Sequence, residues 1–332
     1  MIVYSEGFLK HDLEGHPENK NRLVKIMEVL GSRGVFETVP LIEPLPANVD
    51  DILGVHTKQH IADMQTTSKM GESLFGDTYF TKETYETALL ASGGVITCIN
   101  NEAKRCFALV RPPGHHATQG AAMGFCIFNN VAVGAAYARK KSYERIAILD
   151  FDLHHGNGTQ QIFFNDDILY VSLHQWPHYP GTGSMEEVGG GKGEGYTVNI
   201  PLSAGVSDKS YRLALNEIVF PVLEEFAPDI LFISAGYDGH FNDPLGDLRL
   251  SSRIYQNIAE NVKRTAKKVV FSLEGGYNLN ALPHCVYASL QGLFGLKGEA
   301  FDAEQKEDKR VSEHVEMELK ALRRLISDYW NV

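Results

Sequence analysis

Apolar residues along the chain fall into two kinds of run. The short ones are Cys106–Val110, Ile146–Leu149, Ile168–Leu173, Ile230–Ser234 and Val269–Leu273, apolar without alternation and rich in Ile and Val. Runs of that length and pattern predict strands covered on both faces, as in a parallel sheet. Longer segments with helical spacing lie between them: Asn19–Gly31, Lys82–Asn100, Asn129–Lys141, Lys209–Phe226, Ser252–Lys267 and Leu279–Gly292. Alternation of strand and helix predicts an α/β fold with a largely parallel central sheet and helices on both faces. In such sheets ligands bind beyond the carboxyl ends of the strands. Each predicted strand runs directly into glycine or polar chemistry, so several segments can aim side chains at one crevice.

After the last of these helices comes Lys297–Arg310, dense in charge, and then Val311–Tyr329, whose apolar positions Val315, Leu319, Leu322 and Ile326 have helical spacing. That pattern predicts a terminal helix docked on the body after a charged connection (298–310), and hence one catalytic domain over 1–332 rather than two. Gly189–Gly195 is glycine-rich but lacks the order of a phosphate loop and a following helix, so a surface turn is expected. The 31 Lys and Arg against 42 Asp and Glu give a net charge of −11. An acidic surface argues against broad binding to nucleic-acid phosphates and mildly favours cationic substrates. The four cysteines, Cys98, Cys106, Cys126 and Cys285, form no C-x-x-C pair, and free buried thiols are expected. Neither a secretory leader nor a membrane-length apolar run is visible, which leads to the expectation of a cytoplasmic protein without membrane attachment. Oligomeric state is not legible.

The chemistry begins at Asp150-Phe151-Asp152-Leu153-His154-His155. Positions two apart share a face of a strand, so Asp150, Asp152 and His154 converge if extended geometry continues. A carboxylate and an imidazole make most of a divalent metal site, and Asp238, just after Ile230–Ser234, is the obvious third donor. Two carboxylates and one imidazole with a position left for water would be a catalytic set; capping carboxylates beside a chance histidine give the same letters. His115-His116 follow Pro112-Pro113-Gly114, where a loop lets both rings face one cleft as general base and acid. Asp150 and Asn157 are candidate partners that would orient them. Taken alone, such a pair is also what an accident of surface or core yields. Gly275-Gly276-Tyr277 can present a phenol at a strand end as an oxyanion donor, or can simply bury a tyrosine.

In combination these segments resemble the metal-dependent histone deacetylase and acetylpolyamine amidohydrolase family. The matching stretches are Arg111-Pro112-Pro113-Gly114-His115-His116-Ala117, Asp150 through Gln160, Ser234-Ala235-Gly236-Tyr237-Asp238, Asp243-Pro244-Leu245-Gly246 and Leu273-Glu274-Gly275-Gly276-Tyr277-Asn278-Leu279. Gly15-His16-Pro17-Glu18 with Arg22, and Tyr179-Pro180-Gly181-Thr182-Gly183, also fit. The resemblance spans roughly residues 11 to 295, in the family's order. It implies an arginase/deacetylase-type three-layer fold. It implies zinc or Fe(II) held by Asp152, His154 and Asp238, His115 paired with Asp150, His116 paired with Asn157, and Tyr277 on the substrate carbonyl. Gly124, Phe125, Tyr179 and Gly275 match the walls of an acyl-lysine tunnel, Leu245 its rim, and Asp77 a rim carboxylate that holds a peptide backbone. A structural potassium ion would use Asp150, Asp152, His154, Ser172 and Leu173. His155 is not a ligand of the family and is expected to be structural.

The implied activity is removal of acetyl groups from acetyl-lysine in proteins or peptides, with an acetylated polyamine as the alternative substrate. Asn157 stands where some relatives carry Asp, which lowers the expected basicity of His116. Together with Glu274-Gly275-Gly276 it resembles the class II-type and bacterial or archaeal branches. Leu245 stands where polyamine-selective relatives can carry an acid, and offers no charge to an ammonium group. A di-manganese ureohydrolase would need more carboxylate ligands than Asp150–His155 provides. A non-catalytic acyl-lysine binder would not need every catalytic position filled.

Overall fold

The structure is a computed structural model that describes residues 1–71, 73–299 and 301–332. Its main sheet has eight strands: β1 (Ile2–Val3), β2 (Leu41–Ile42), β3 (Arg105–Ala108), β4 (Ile146–Asp150), β5 (Leu169–Gln175), β6 (Thr197–Leu202), β7 (Ile230–Ala235) and β8 (Lys268–Leu273). Their order is β2-β1-β3-β8-β7-β4-β5-β6, and every pairing is parallel. Both faces of the central strands are buried, which is why they read as unbroken apolar runs. Helices Thr84–Asn100 and Asn130–Lys140 pack together in one layer over the sheet, and Asn21–Ser32, Ser252–Val262 and Leu282–Phe294 pack together in the other. One cluster of buried apolar side chains extends from Met1 to Trp330. The four cysteines are free and buried.

The departures from the expected elements have local causes. β5 runs to Gln175 because His174 and Gln175, polar in sequence, are buried in the sheet. β6 lay outside the expected strands; it carries Pro201, which an edge strand tolerates because one side of its backbone has no partner. Within the helix expected at Lys209–Phe226, residues Leu215–Val219 widen into a π turn between Asp208–Ala214 and Phe220–Phe226. Pro221 has no N–H to continue the α ladder, and the wider turn accommodates the missing bond.

Residues 301–308 of the charged connection form a strap rather than a free link, and the terminal helix begins at Lys309, two residues before the expected start. Glu307 accepts the Ser207 N–H and the Ser210 and Ser312 hydroxyls at 2.6, 2.6 and 2.7 Å. Asp302 accepts the Ser252 N–H at 2.9 Å and meets His240 Nε2 at 2.5 Å. The terminal helix, Lys309–Ile326, buries Val315, Leu319, Leu322 and Ile326, the stripe its spacing predicts. The glycine-rich stretch contains a short 3-10 turn, Gly191–Gly193, and Gly195 accepts the Trp330 indole N–H at 2.8 Å. Among the described residues no helix is long and apolar enough to cross a membrane.

Candidate active site

The carboxyl ends of β4, β7 and β8 bring the predicted donors together. β4 stops at Asp150, so extended geometry does not continue to His154. Two tight side-chain turns take over instead: the Asp152 N–H donates to Asp150 Oδ1 at 3.1 Å, and the His154 N–H to Asp152 Oδ1 at 2.9 Å. They deliver Asp152 and His154 to Asp238. His154 Nδ1 lies 3.2 Å from Asp152 Oδ1 and 3.0 Å from Asp238 Oδ2. One ligand atom from each of the three falls within 4.8 Å of the others. Both carboxylates are fixed from behind, Asp238 by the Leu153 N–H at 2.9 Å and Asp152 by the Gly275 N–H at 2.8 Å. Gly275 can come this close only because it lacks a side chain, since a Cβ there would collide with Asp238 Oδ2.

Electrostatics fit a cation at this point. Asp150, Asp152 and Asp238 are all buried, with no lysine or arginine bridging to them among the described residues. Burial raises the pKa of Asp238, and Asp152 raises it further. Burial opposes a charge on His154, but the hydrogen bonds and charges of Asp152 and Asp238 outweigh it and raise its pKa to about 10. A proton on that nitrogen answers the same field that would hold a divalent ion. Two carboxylates and one imidazole form the donor set of open catalytic sites.

His115 and His116 stack with ring centroids 4.0 Å apart but have opposite surroundings. His115 Nδ1 donates to Asp150 Oδ2 at 3.1 Å, and Tyr170 donates to the same oxygen at 3.1 Å. Burial disfavours the charged His115 ring, yet Asp152 and Asp150 prevail and raise its pKa to about 10. His116 Nδ1 meets Asn157 Oδ1 at 2.8 Å. An amide oxygen only accepts, so Nδ1 carries the hydrogen and Nε2 keeps its lone pair. Burial, then the neighbouring His115 and His154, lower the His116 pKa well below its usual value. The surroundings of the two rings therefore push in opposite directions, favouring a charge on His115 and disfavouring one on His116.

A cavity of about 250 Å³ opens over these groups, lined by Asp77, His116, Gly124, Phe125, His154, His178, Tyr179, Leu245 and Tyr277. Gly124 and Phe125 have φ of 56° and 67°, and their N–H groups are held by Asp77 Oδ1 at 2.9 Å and Thr78 Oγ1 at 3.0 Å. Any Cβ on Gly124 would strike the His116 ring. Phe125 meets the Tyr277 ring edge-to-face at 5.7 Å, and Tyr179 meets His116 the same way at 5.2 Å. Gly275 stands directly beside the Asp152 and Asp238 carboxylates. Ser172 lies opposite Asp150 in the sheet register, with Leu173 next to it, and its hydroxyl bonds His174 Nδ1 at 2.9 Å. His155 bonds Thr182 at 2.8 Å and Gln160 at 2.9 Å, tying the Tyr179 loop to the body.

Sequence reasoning passed over two kinds of residue. His178 lines the cavity, its ring 5.1 Å from that of His154, but it precedes the stretch that carried a recognisable pattern. Glu274 is fully buried and accepts the Gly114 and His115 N–H groups at 2.6 and 3.2 Å, fixing the backbone under the histidine pair. Its place in the Glu274-Gly275-Gly276 motif was the only sign of it.

The chain matches the histone deacetylase domain over residues 16–293. It is 45% identical to a probable deacetylase of Archaeoglobus fulgidus over 297 residues, 85% of this chain and 83% of that one. It is 40% identical to the chloroplastic histone deacetylase 14 of Arabidopsis thaliana over 324 residues, 89% and 77% of the two chains. The crystal structure of the HDA15 HD domain superposes with a TM-score of 0.91 at 34% identity, covering 99% of this chain and 96% of that one. The buried carboxylate–imidazole triad, the paired histidines, the arginase/deacetylase-type sheet and these matches lead to one conclusion: the chain belongs to the histone deacetylase family and is a hydrolytic deacetylase.

Proposed function

We propose that this chain is a metal-dependent amidohydrolase that removes acetyl groups from acetyl-lysine side chains of peptides or proteins, acting as one catalytic unit over 1–332. The observation that carries this reading is the convergence of Asp152, His154 and Asp238 beneath a cavity that also presents His116 and Tyr277. The three donors would hold a divalent ion, zinc in this reading with Fe(II) the alternative. The chemistry such an ion supplies when bound is Lewis acidity, which polarises an amide carbonyl and lowers the pKa of a coordinated water.

The remaining work belongs to the protein. Phe125 and Tyr179 face an extended alkyl chain, Leu245 gives the rim an apolar contact, and Asp77 offers a carboxylate to the backbone of a peptide. His116 takes a proton from the attacking water at Nε2 and returns it to the departing amine. His115, hydrogen-bonded to Asp150, acts as an electrostatic stabiliser of the negative charge that develops. The Tyr277 hydroxyl donates to the amide oxygen as it becomes an oxyanion. A potassium ion would sit at Asp150, Asp152, His154, Ser172 and Leu173, bracing the strand ends.

The test is a side-by-side measurement of kcat/KM on an acetyl-lysine peptide and on acetylputrescine, with enzyme reconstituted in zinc or Fe(II). Preference for the peptide supports the reading. Preference for acetylputrescine moves the substrate to polyamines, and no turnover of either overturns it.

A further inference from the structure

Asp243 has the surroundings of a part with a task. It is 7% exposed, and among the described residues it forms no salt bridge. Its carboxylate instead takes three backbone N–H groups from two loops. Oδ2 accepts from Tyr277 at 2.6 Å and from Asn278 at 3.0 Å, and Oδ1 accepts from Leu245 at 3.1 Å. The Asn278 amide closes the same junction by donating to Asn242 O at 2.6 Å. On the other side of this loop, Arg22 donates to the carbonyls of Gly276 at 2.7 Å and Glu274 at 2.5 Å. The loop Glu274–Asn278 is thus held at the Glu274 and Gly276 carbonyls by Arg22, at the Gly275 N–H by Asp152, and at the Tyr277 and Asn278 N–H groups by Asp243.

Tyr277 and Leu245 both line the cavity, while Asp243 does not. Two glycines leave the loop with little intrinsic preference, and Gly276 has a φ of 113°. The position of the phenol must then be set from outside the loop. We propose that Asp243 is a positioning residue, whose carboxylate fixes the Tyr277 phenol and the Leu245 rim relative to each other. The rate of deacetylation depends on it although it does not touch the substrate. The inference rests on the reading of Tyr277 as the oxyanion donor.

Asp243→Asn replaces one acceptor oxygen with an NH2 that would face backbone N–H groups. In the metal-loaded full chain, with an acetyl-lysine peptide as substrate, kcat should fall about 10–100-fold while KM changes less than about threefold, the effect of a displaced reacting group. Metal content per chain should stay at the wild-type level. The decisive measurement is a double-mutant cycle. Tyr277→Phe should cost about 10²–10³ in kcat in the wild-type background but only about tenfold on top of Asp243→Asn, which leaves the double variant no slower than Tyr277→Phe alone. Losses that multiply would overturn the inference, because Asp243 would then act independently of the phenol. If Tyr277→Phe alone keeps the wild-type rate, the oxyanion role fails instead, and the inference fails with it.

Should Asp243→Asn not fold, Asp243→Glu keeps the charge, shifts the acceptors by one methylene, and should show the same non-additivity. Amide exchange in the wild type decides if neither variant folds. A protected Tyr277 N–H supports the clamp, and exchange at the rate of an open loop overturns it.

Discussion

Two buried charge clusters lie at the heart of this molecule, and they are finished differently. In the first, Glu18 binds Arg111 through both carboxylate oxygens at 2.5 and 2.8 Å and Arg22 at 3.0 Å. All three side chains are fully buried. The spare guanidinium hydrogens go to Phe8 O at 2.9 Å and to the Tyr79 hydroxyl at 3.0 Å. Burial raises the Glu18 pKa, but Arg111 and Arg22 prevail and lower it to about 2. Every charge there has a protein partner. In the second cluster Asp150, Asp152 and Asp238 have imidazoles, backbone amides and the Tyr170 hydroxyl but no lysine or arginine among the described residues, and burial raises the pKa of Asp150 and Asp238. A closed cluster serves the fold. A cluster with surplus negative charge at a cavity floor is built for something that arrives with positive charge.

That contrast can be broken at either end. The largest effect should come from the closed cluster. Glu18→Gln leaves two guanidinium groups buried without their carboxylate and should lower unfolding free energy by about 3–5 kcal/mol, read by urea denaturation. Because the Glu18 pKa is depressed from its ordinary 4.5 to about 2, its stabilisation is fully present above about pH 4.5 and is lost as pH falls through about 2. The acid-unfolding midpoint of the variant should accordingly be higher. Next comes Tyr277→Phe, which should keep the fold and metal content but lose about 10²–10³ in kcat on an acetyl-lysine peptide, or about 2.7–4 kcal/mol. Wild-type turnover would remove the tyrosine from the chemistry.

The open cluster should respond to metal. Adding zinc at about 100 times its Kd should stabilise the metal-free wild type by about 2.7 kcal/mol in a thermal melt, and Asp238→Asn should abolish that gain. The smallest expected effect is on pH dependence. Asn157→Asp gives His116 a carboxylate partner, which favours the charged ring and raises its pKa. The acid limb of kcat/KM should move up by about one pH unit, or about 1.4 kcal/mol, and an unmoved limb would mean His116 is not the base.

Much of the sheet was legible because strands buried on both faces cannot hide their apolar runs. β1 and β2 were not, since two residues carry no pattern, and neither was β6 with its proline. Helix Lys58–Met70 escaped notice because it covers the body with few apolar residues, among them Ile61 and Met64. The three candidate donors were legible as a group, because Asp152, His154 and Asp238 follow strands that the topology makes neighbours. Their route together was not, since it depends on side-chain turns rather than on strand alternation. Long-range partners were the hardest to read. Nothing local in sequence pairs Glu18 with Arg111, Asp243 with the Tyr277 amide, or Glu307 with Ser207.

The most direct test of the account is metal content measured together with activity, in the wild type and in Asp238→Asn. The account predicts one divalent ion per wild-type chain, deacetylation that rises in proportion to occupancy, and neither binding nor turnover in the variant. Two ions per chain, or wild-type turnover by Asp238→Asn, would contradict it.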